Sequence, residues 1–395
     1  MVSIEKQSFE GLKALIRVDF NVPLDSNSKV LDSSRIEASK QTILKIINDG
    51  GSCILMSHLG RPKNKEINLS LRNIIPEIEK TLNLKVKFAR EAIGNKTKEM
   101  TKALKPGEVL LLENLRFYPE ECQGDKEFAK KLASYADCYI NDAFGTAHRA
   151  HASTTTIAEF FKNKKYSGRL LYREVEAIKK ALQTGQSPVL AILGGAKISS
   201  KIKIIENIIN KVDEIIIGGG MAFTFIKALG GKIGASIFEK NKLNLALSIL
   251  KKAKNKQVKI YLPVDVLCSD QFSNVGNKKV FEIGEIPAKW QGLDSGPKSI
   301  KLFNKAIIAA KTILWNGPIG VFELESFSKG TIAIGDSVVK STQKGAFSLV
   351  GGGDSVAAVK KFNFQNKVSY VSTGGGAMLE SLEGKILPAI EALSN

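Results

Sequence analysis

The chain has 395 residues, enough for two or three domains, and 43% of them are hydrophobic, so a disordered chain is excluded. Its 58 Lys and Arg outnumber 39 Asp and Glu for a formal charge of +19, yet the lysines are scattered and carry no interleaved aromatics. That pattern suits a basic surface that attracts small anions and requires no nucleic acid. No apolar run of about 18 residues and no leader-like start appears, so the expectation is a cytoplasmic protein with no membrane partner.

Short apolar runs bounded by turn residues recur along the chain, separated by helix-length amphipathic stretches. The first half has them at 14–18, 53–56, 109–112 and 138–140. The second half has them at 189–193, 214–217, 259–262, 312–315, 347–350 and 369–371. Between them, 36–47, 125–135 and 202–212 space apolar residues at three and four, as one-sided helices do. Repeated β-α units of this kind predict an α/β fold of doubly wound, Rossmann-like parallel sheets. Ten strands exceed what one open sheet usually holds, which predicts two domains, 1–168 and 184–377, joined by an interdomain helix over 169–183. The four cysteines, Cys53, Cys122, Cys138 and Cys268, have no paired spacing and read as buried free thiols.

Ligands of doubly wound sheets sit beyond the carboxyl ends of the strands, so the residues there carry the chemistry. In the first half these are Asp19, Phe20 and Asn21; His58, Leu59, Gly60 and Arg61; Glu113 to Arg116; and Asn141 to Gly145. All three histidines, His58, His148 and His151, lie on this side with several arginines. Arginine presents a planar fork matched to phosphate or carboxylate, so several at neighbouring strand ends predict a pocket for a small polyanion. His148 and His151 have the spacing of a zinc pair but no third ligand at a useful distance, which favours anion binding or hydrogen bonding to the loop.

In the second half the strand ends are Gly194-Gly-Ala-Lys197, Gly218-Gly-Gly220, Pro263-Val-Asp265, Asn316-Gly-Pro318, Gly351-Gly-Gly-Asp354-Ser355 and Thr373-Gly-Gly-Gly376. Glycine admits an oxyanion close to backbone N–H groups, and a following helix adds its dipole, so this half reads as a nucleotide-phosphate site. Neither a Gly-x-Gly-x-x-Gly fingerprint nor a P-loop is present, which argues against a dehydrogenase or a P-loop ATPase. Asp354, the carboxylate within a phosphate-type loop, is the candidate ligand for a phosphate-bridging magnesium ion; its alternative reading is the N-cap of a helix beginning near Ser355, and the two roles are compatible. Trp290 and Trp315 read as packing residues.

Arg17-Val-Asp-Phe-Asn-Val-Pro23, Ser57-His-Leu-Gly-Arg-Pro62, Asn141-Asp-Ala-Phe-Gly-Thr-Ala-His-Arg-Ala-His151, Gly194-Gly-Ala-Lys197, Trp315-Asn-Gly-Pro318 and Gly351-Gly-Gly-Asp354 together resemble the motifs of the phosphoglycerate kinases, in the family's order over essentially the whole chain. The resemblance implies a bilobal monomer whose tail, about 378–395, packs on the first lobe. It implies 3-phosphoglycerate or 1,3-bisphosphoglycerate at Asp19, Asn21, His58, Arg61, Arg116 and Arg149, with Arg35 stabilising the transferring group. It also implies ADP or ATP at Lys197, Lys201, Gly292, Glu323 and Gly352 to Ser355, with Glu323 on the ribose and magnesium on Asp354. Arg35, Lys197, Gly352 and Gly353 would act on the phosphoryl oxygens. The chain departs from the family pattern at Ser355 for Thr, Gln41 for Pro, the helix start Arg169 to Arg173, and Ala389 for Gly; all but the first bear on closure of the lobes. The residues by themselves leave two other readings open: a nucleic-acid-binding protein whose glycine loops are only turns, and a different two-domain kinase of small carboxylates.

Overall fold

A parallel sheet covered on both faces needs strands that are apolar throughout, and the short runs of this sequence supply them. The computed structural model describes residues 1–394. Its strands in chain order are β1 (Lys13–Val18), β2 (Ser52–Met56), β3 (Val86–Ala89), β4 (Val109–Leu112), β5 (Cys138–Asp142), β6 (Lys165–Ser167), β7 (Val189–Leu193), β8 (Glu214–Ile217) and β9 (Lys232–Ile233). There follow β10 (Lys259–Tyr261), β11 (Asp265–Ser269), β12 (Lys278–Glu282), β13 (Glu285–Ile286), β14 (Gln291–Ser295), β15 (Thr312–Asn316), β16 (Phe347–Val350) and β17 (Tyr370–Val371). The chain divides into two units: Met1–Val175 with the segment beginning at Ile386, and Glu176–Lys385.

The first unit is built on a parallel sheet in the order β3-β4-β2-β1-β5-β6. Every residue of β2, β4 and β5 is buried. One face packs Ile16, Val18, Leu55, Leu111 and Ile140 against Ile36, Ile43 and Ile46 of the helix Ser34–Asn48. At the end of β5 the buried carboxylate of Asp142 accepts from the Leu170 and Leu171 backbone N–H groups at 2.9 and 3.2 Å, which anchors the start of the helix Arg169–Leu182. Burial pushes the Asp142 carboxyl up to about 7.

The second unit repeats the plan in the order β10-β8-β7-β15-β16-β17, again parallel. Its core packs Leu190, Ile192, Ile216 and Ile313 with Phe303, Ile334 and Val338. A three-stranded antiparallel sheet, β12-β11-β14, and the short parallel pair β13-β9 are added to it.

The expected α/β class and its two doubly wound sheets are present, and each expected apolar run overlaps a strand. Several elements lie outside that reading. β3 and β6 are sheet edges, and β12, Lys-Lys-Val-Phe-Glu, is almost wholly exposed, so none shows the unbroken apolar run of a central strand. The segment expected as a helix over 202–212 ends its regular helix at Ile208. Cys122 is exposed, which corrects the expectation of four buried thiols; Cys53, Cys138 and Cys268 are buried. Its place in the short helix Pro119–Gln123 turns it outward while Glu121 is buried.

Two of the departures from the family pattern are neighbours. The Arg169 guanidinium pairs with Glu5 at 2.7 Å and donates to the Gln41 carbonyl oxygen at 3.3 Å. Both charged side chains are partly exposed, so the pair contributes less than about 1 kcal/mol. Ala389 is buried and donates its N–H to the Ala147 carbonyl oxygen at 3.1 Å within the first unit.

Both tryptophans pack, as expected: Trp290 lies edge-on to Phe281, and Trp315 is fully buried. The Trp315 indole N–H also donates to the Gly317 carbonyl oxygen at 2.9 Å, tying the core to the loop after β15. Trp315→Phe therefore opens a gap and strands that oxygen. It should lower stability by about 1–3 kcal/mol, read as an earlier urea transition.

Candidate functional site

In the first unit β1, β2 and β4 are adjacent, and the loops leaving their carboxyl ends knit together. The Asn21 side-chain oxygen accepts from the Gly60 N–H at 2.8 Å, and the Arg116 guanidinium donates to the Gly60 carbonyl oxygen at 2.8 Å. Gly60 has φ +65°, a conformation open to glycine at little strain, so this turn brings two of the expected anion-binding residues onto one backbone unit. Asp19 accepts from the Arg35 guanidinium at 2.6 Å, and the Phe20 N–H donates to Ser57 Oγ at 2.9 Å.

The cationic groups converge. Burial lowers the His58 imidazole well below its usual value, and the charges of Arg17, Arg116 and Arg35 add to that shift. Burial likewise brings His151 down to about 4, assisted by Arg116, Arg17, Arg149 and His148. Arg116 is lowered by burial, with Arg17 and Arg61 contributing. Arg61 and Arg149 are exposed. Phe20 and Leu59 are fully buried, so only their backbone could meet a ligand.

Three residues beneath this surface were given no role from the sequence, although Arg17 opens one of the family motifs. Arg17 lies in the strand β1, reads there as one position of an apolar run, and is fully buried. Glu121 and Ser153 are also fully buried and are joined by a 2.6 Å hydrogen bond. Their positions, 136 residues from β1 in the case of Ser153, carry no local signal.

In the second unit a cleft of about 550 Å³ is lined by Phe223, Ile237, Pro263, Val266, Leu293, Val321 and Leu324 with the glycines 195, 219, 220, 292 and 320; Glu323 and Asp354 also border it. A second cleft, about 350 Å³, is lined by Lys197, Lys201, Ser200, Gly317, Gly352, Gly353, Asp354 and Ser355. Gly195, Ala196 and Asp354 border both. The larger has the size and apolar walls of a site for a flat organic group, and the smaller has cations and glycine backbone suited to phosphate. The apolar lining comes from separate elements and escaped the sequence reading.

The glycines divide into two kinds. A side chain at Gly317 would place its Cβ 2.2 Å from the Gly194 carbonyl oxygen, so the loops after β7 and β15 touch backbone to backbone. Gly353 has open space where a Cβ would be and begins the helix Gly353–Lys361, whose N-cap is Gly352. Asp354 therefore sits in the first turn, correcting its alternative as the N-cap of a helix starting near Ser355. The Ser355 hydroxyl is buried and accepts from the Gly317 N–H at 2.6 Å. Lys201 donates to Asn316 Oδ1, and burial lowers its ammonium while Asp354 opposes the shift. Gly292 donates its N–H to Ser236 Oγ at 2.8 Å, and the Phe223 ring occupies the space where its side chain would be. Lys197 and Glu323 are exposed.

Among the described residues no group of three or more His, Cys, Asp or Glu could hold a metal ion alone. Asp354 at the junction of the two clefts fits a magnesium ion that takes its remaining oxygens from phosphate and water.

Sheets with cationic strand ends of this kind suit the movement of phosphoryl groups between small anions, the chemistry of the α/β phosphotransferases. The family model described as phosphoglycerate kinase matches residues 4–385. A phosphoglycerate kinase of Porphyromonas gingivalis is 51% identical over 99% of this chain and all of its own length, and a cytosolic one of Nicotiana tabacum is 47% identical over 100% and 98%. The solved phosphoglycerate kinase of Coxiella burnetii superposes with a TM-score of 0.92 at 42% identity, covering 100% of this chain and 98% of that one. That of Pyrococcus horikoshii gives 0.83 at 29% identity, with the same shares covered. The chain belongs to the phosphoglycerate kinase family, and it is a phosphotransferase. No helix among its described residues is long and apolar enough to cross a membrane.

His151 provides a test of the electrostatics. Its folded pKa, about 4, lies below the ordinary 6.5, so the neutral ring contributes stability that is complete above about pH 6.5 and is lost as pH falls toward 4. Because the ring keeps some access to solvent, which screens the neighbouring charges, the loss from this group is about 1–3 kcal/mol. Denaturant unfolding at stepped pH should show that decline, and His151→Gln should flatten it.

Proposed function

We propose that this chain transfers the acyl phosphate of 1,3-bisphosphoglycerate reversibly to magnesium-ADP, giving 3-phosphoglycerate and magnesium-ATP, the phosphoglycerate kinase step of glycolysis. The observation that carries the nucleotide half is the pair of clefts in the second unit, one apolar and one cationic, sharing Gly195, Ala196 and Asp354. The base would occupy the larger cleft with its ribose near Glu323, and the phosphates would lie along Lys197, Lys201 and the first turn at Gly352 to Ser355. The acid would meet Asp19, Asn21, His58, Arg61, Arg116 and Arg149 in the first unit. The protein would work as a cytoplasmic monomer.

The leaving oxygen of an acyl phosphate departs as a carboxylate, so no protein base has to take a proton. That agrees with His58 and His151 being depressed to the neutral form at neutral pH without being needed as bases. Catalysis then rests on positioning and on neutralising the equatorial oxygens of the transferring group. Lys197, from the loop after β7, and the N–H groups of Gly352 and Gly353, at the start of the helix after β16, would supply this. Arg35, which pairs with Asp19, would exchange that carboxylate for the phosphoryl oxygens. Bound through Asp354 and phosphate, magnesium would supply charge neutralisation.

Because acid and nucleotide are assigned to different units, transfer requires the units to close on each other with water excluded. A hinge about the helix Arg169–Leu182 would serve, since the division between the units falls within it.

A coupled assay with ADP and 1,3-bisphosphoglycerate, run beside other acyl phosphates, tests the assignment; turnover confined to a different acid would overturn it. Arg35→Ala should lower kcat by on the order of 10³ while nucleotide affinity is largely kept, and near-normal turnover would remove Arg35 from the mechanism. Small-angle scattering should give a smaller radius of gyration with both ligands than with either alone. An unchanged radius would count against closure.

A further inference from the structure

Behind the arginine-lined loops runs a chain of polar side chains that no substrate can reach. Arg17 is fully buried in β1, and its guanidinium is spoken for on several sides. Its Nε–H donates to Ser153 Oγ at 2.8 Å, an Nη1 hydrogen goes to the Val18 carbonyl oxygen, and an Nη2 hydrogen points at His58 Nδ1, 3.1 Å away. The Ser153 hydroxyl in turn donates to Glu121 Oε1 at 2.6 Å, and the Ser153 N–H donates to Glu121 Oε2 at 3.0 Å. Glu121 is fully buried and supplies the negative charge that a buried arginine needs.

A guanidinium has only donors, so the nitrogen facing it must accept. His58 Nδ1 therefore carries no proton, and a neutral imidazole then has its hydrogen on Nε2. We propose that Arg17 is a positioning residue that holds His58 as the neutral Nε2–H tautomer, with Glu121 and Ser153 orienting Arg17 from behind.

The consequence for the reaction rests on the reading of this unit as the acid site. His58 then offers the anion a neutral donor of fixed direction, while the positive charge is left to arginines that do not titrate. An imidazolium in the same place would sit among Arg17, Arg116 and Arg35, in a site already short of negative charge.

The test uses the full chain labelled with ¹⁵N-histidine, whose three imidazoles are assigned with His148→Gln and His151→Gln. Long-range ¹H–¹⁵N correlations distinguish a bare ring nitrogen from a protonated one. The expected result is a single His58 species, Nδ1 bare and Nε2 protonated, unchanged from about pH 8 to about pH 6. An Nδ1–H tautomer, or an imidazolium forming across that range, would overturn the proposal. Arg17→Met should release the constraint, so that an Nδ1–H fraction or a titration appears; a folded variant with the wild-type pattern would remove Arg17 from the role. Should Arg17→Met fail to fold, Ser153→Ala keeps the guanidinium and removes only its link to Glu121. A measurable Nδ1–H fraction is expected there, and its absence would refute the orienting role of Ser153 and Glu121. Adding 3-phosphoglycerate to the wild type should shift the Nε2 resonance. If it does not, the acid-site reading fails at His58 while the tautomer assignment stands.

Discussion

A parallel sheet with both faces covered has no place for polar groups except beyond its strand ends, and that constraint organises this protein. Every side chain of β2, β4, β7 and β15 is buried, so the chemistry-bearing residues crowd into loops that begin where the apolar runs stop. The sheet orders bring β1, β2 and β4 side by side in the first unit and β8, β7, β15 and β16 side by side in the second. Loops far apart in sequence are thereby placed within hydrogen-bond reach, as Asn21, Gly60 and Arg116 show.

The same burial that makes the sheets stable forces unusual states on the polar groups left inside. Asp142 and Asp294 are both raised to about 7 by desolvation, and both are held by backbone N–H groups at helix starts, Leu170 and Leu171 for one and Gly330 for the other. His58 and His151 move the opposite way, toward the uncharged ring, because burial and neighbouring arginines both disfavour a further positive charge. Permanent cations and neutral imidazoles thus divide the labour around the arginine-lined loops, and the buried Glu121 balances Arg17 from beneath.

Much of this was legible in the sequence. Central strands announce themselves as unbroken apolar runs, and the motifs at their ends carry glycine, arginine or aspartate for reasons that are local: backbone approach, a forked donor, an oxygen ligand. Edge strands such as β3 and β12 were missed because an edge is half solvated and needs no such run. The apolar cleft of the second unit was missed for a different reason. Phe223, Val266, Leu293 and Leu324 come from four separate segments, and each by itself looks like ordinary core.

Ser355 and Gly317 mark the limit of motif reading most clearly. Both sit in phosphate-type loops, but the Ser355 hydroxyl is engaged by the Gly317 N–H, and Gly317 is glycine because the Gly194 backbone lies against it. What the sequence alone determined was the α/β class, the two sheets and the motifs of the family, since these follow from periodicity and from residue types with one physical use. Only the tertiary structure decided which groups meet: that Arg17 faces His58, that Glu121 lies behind Ser153, and that Asp354 borders both clefts. Contacts across more than a hundred residues are set by strand order and register, and neither is written in any local stretch of the chain.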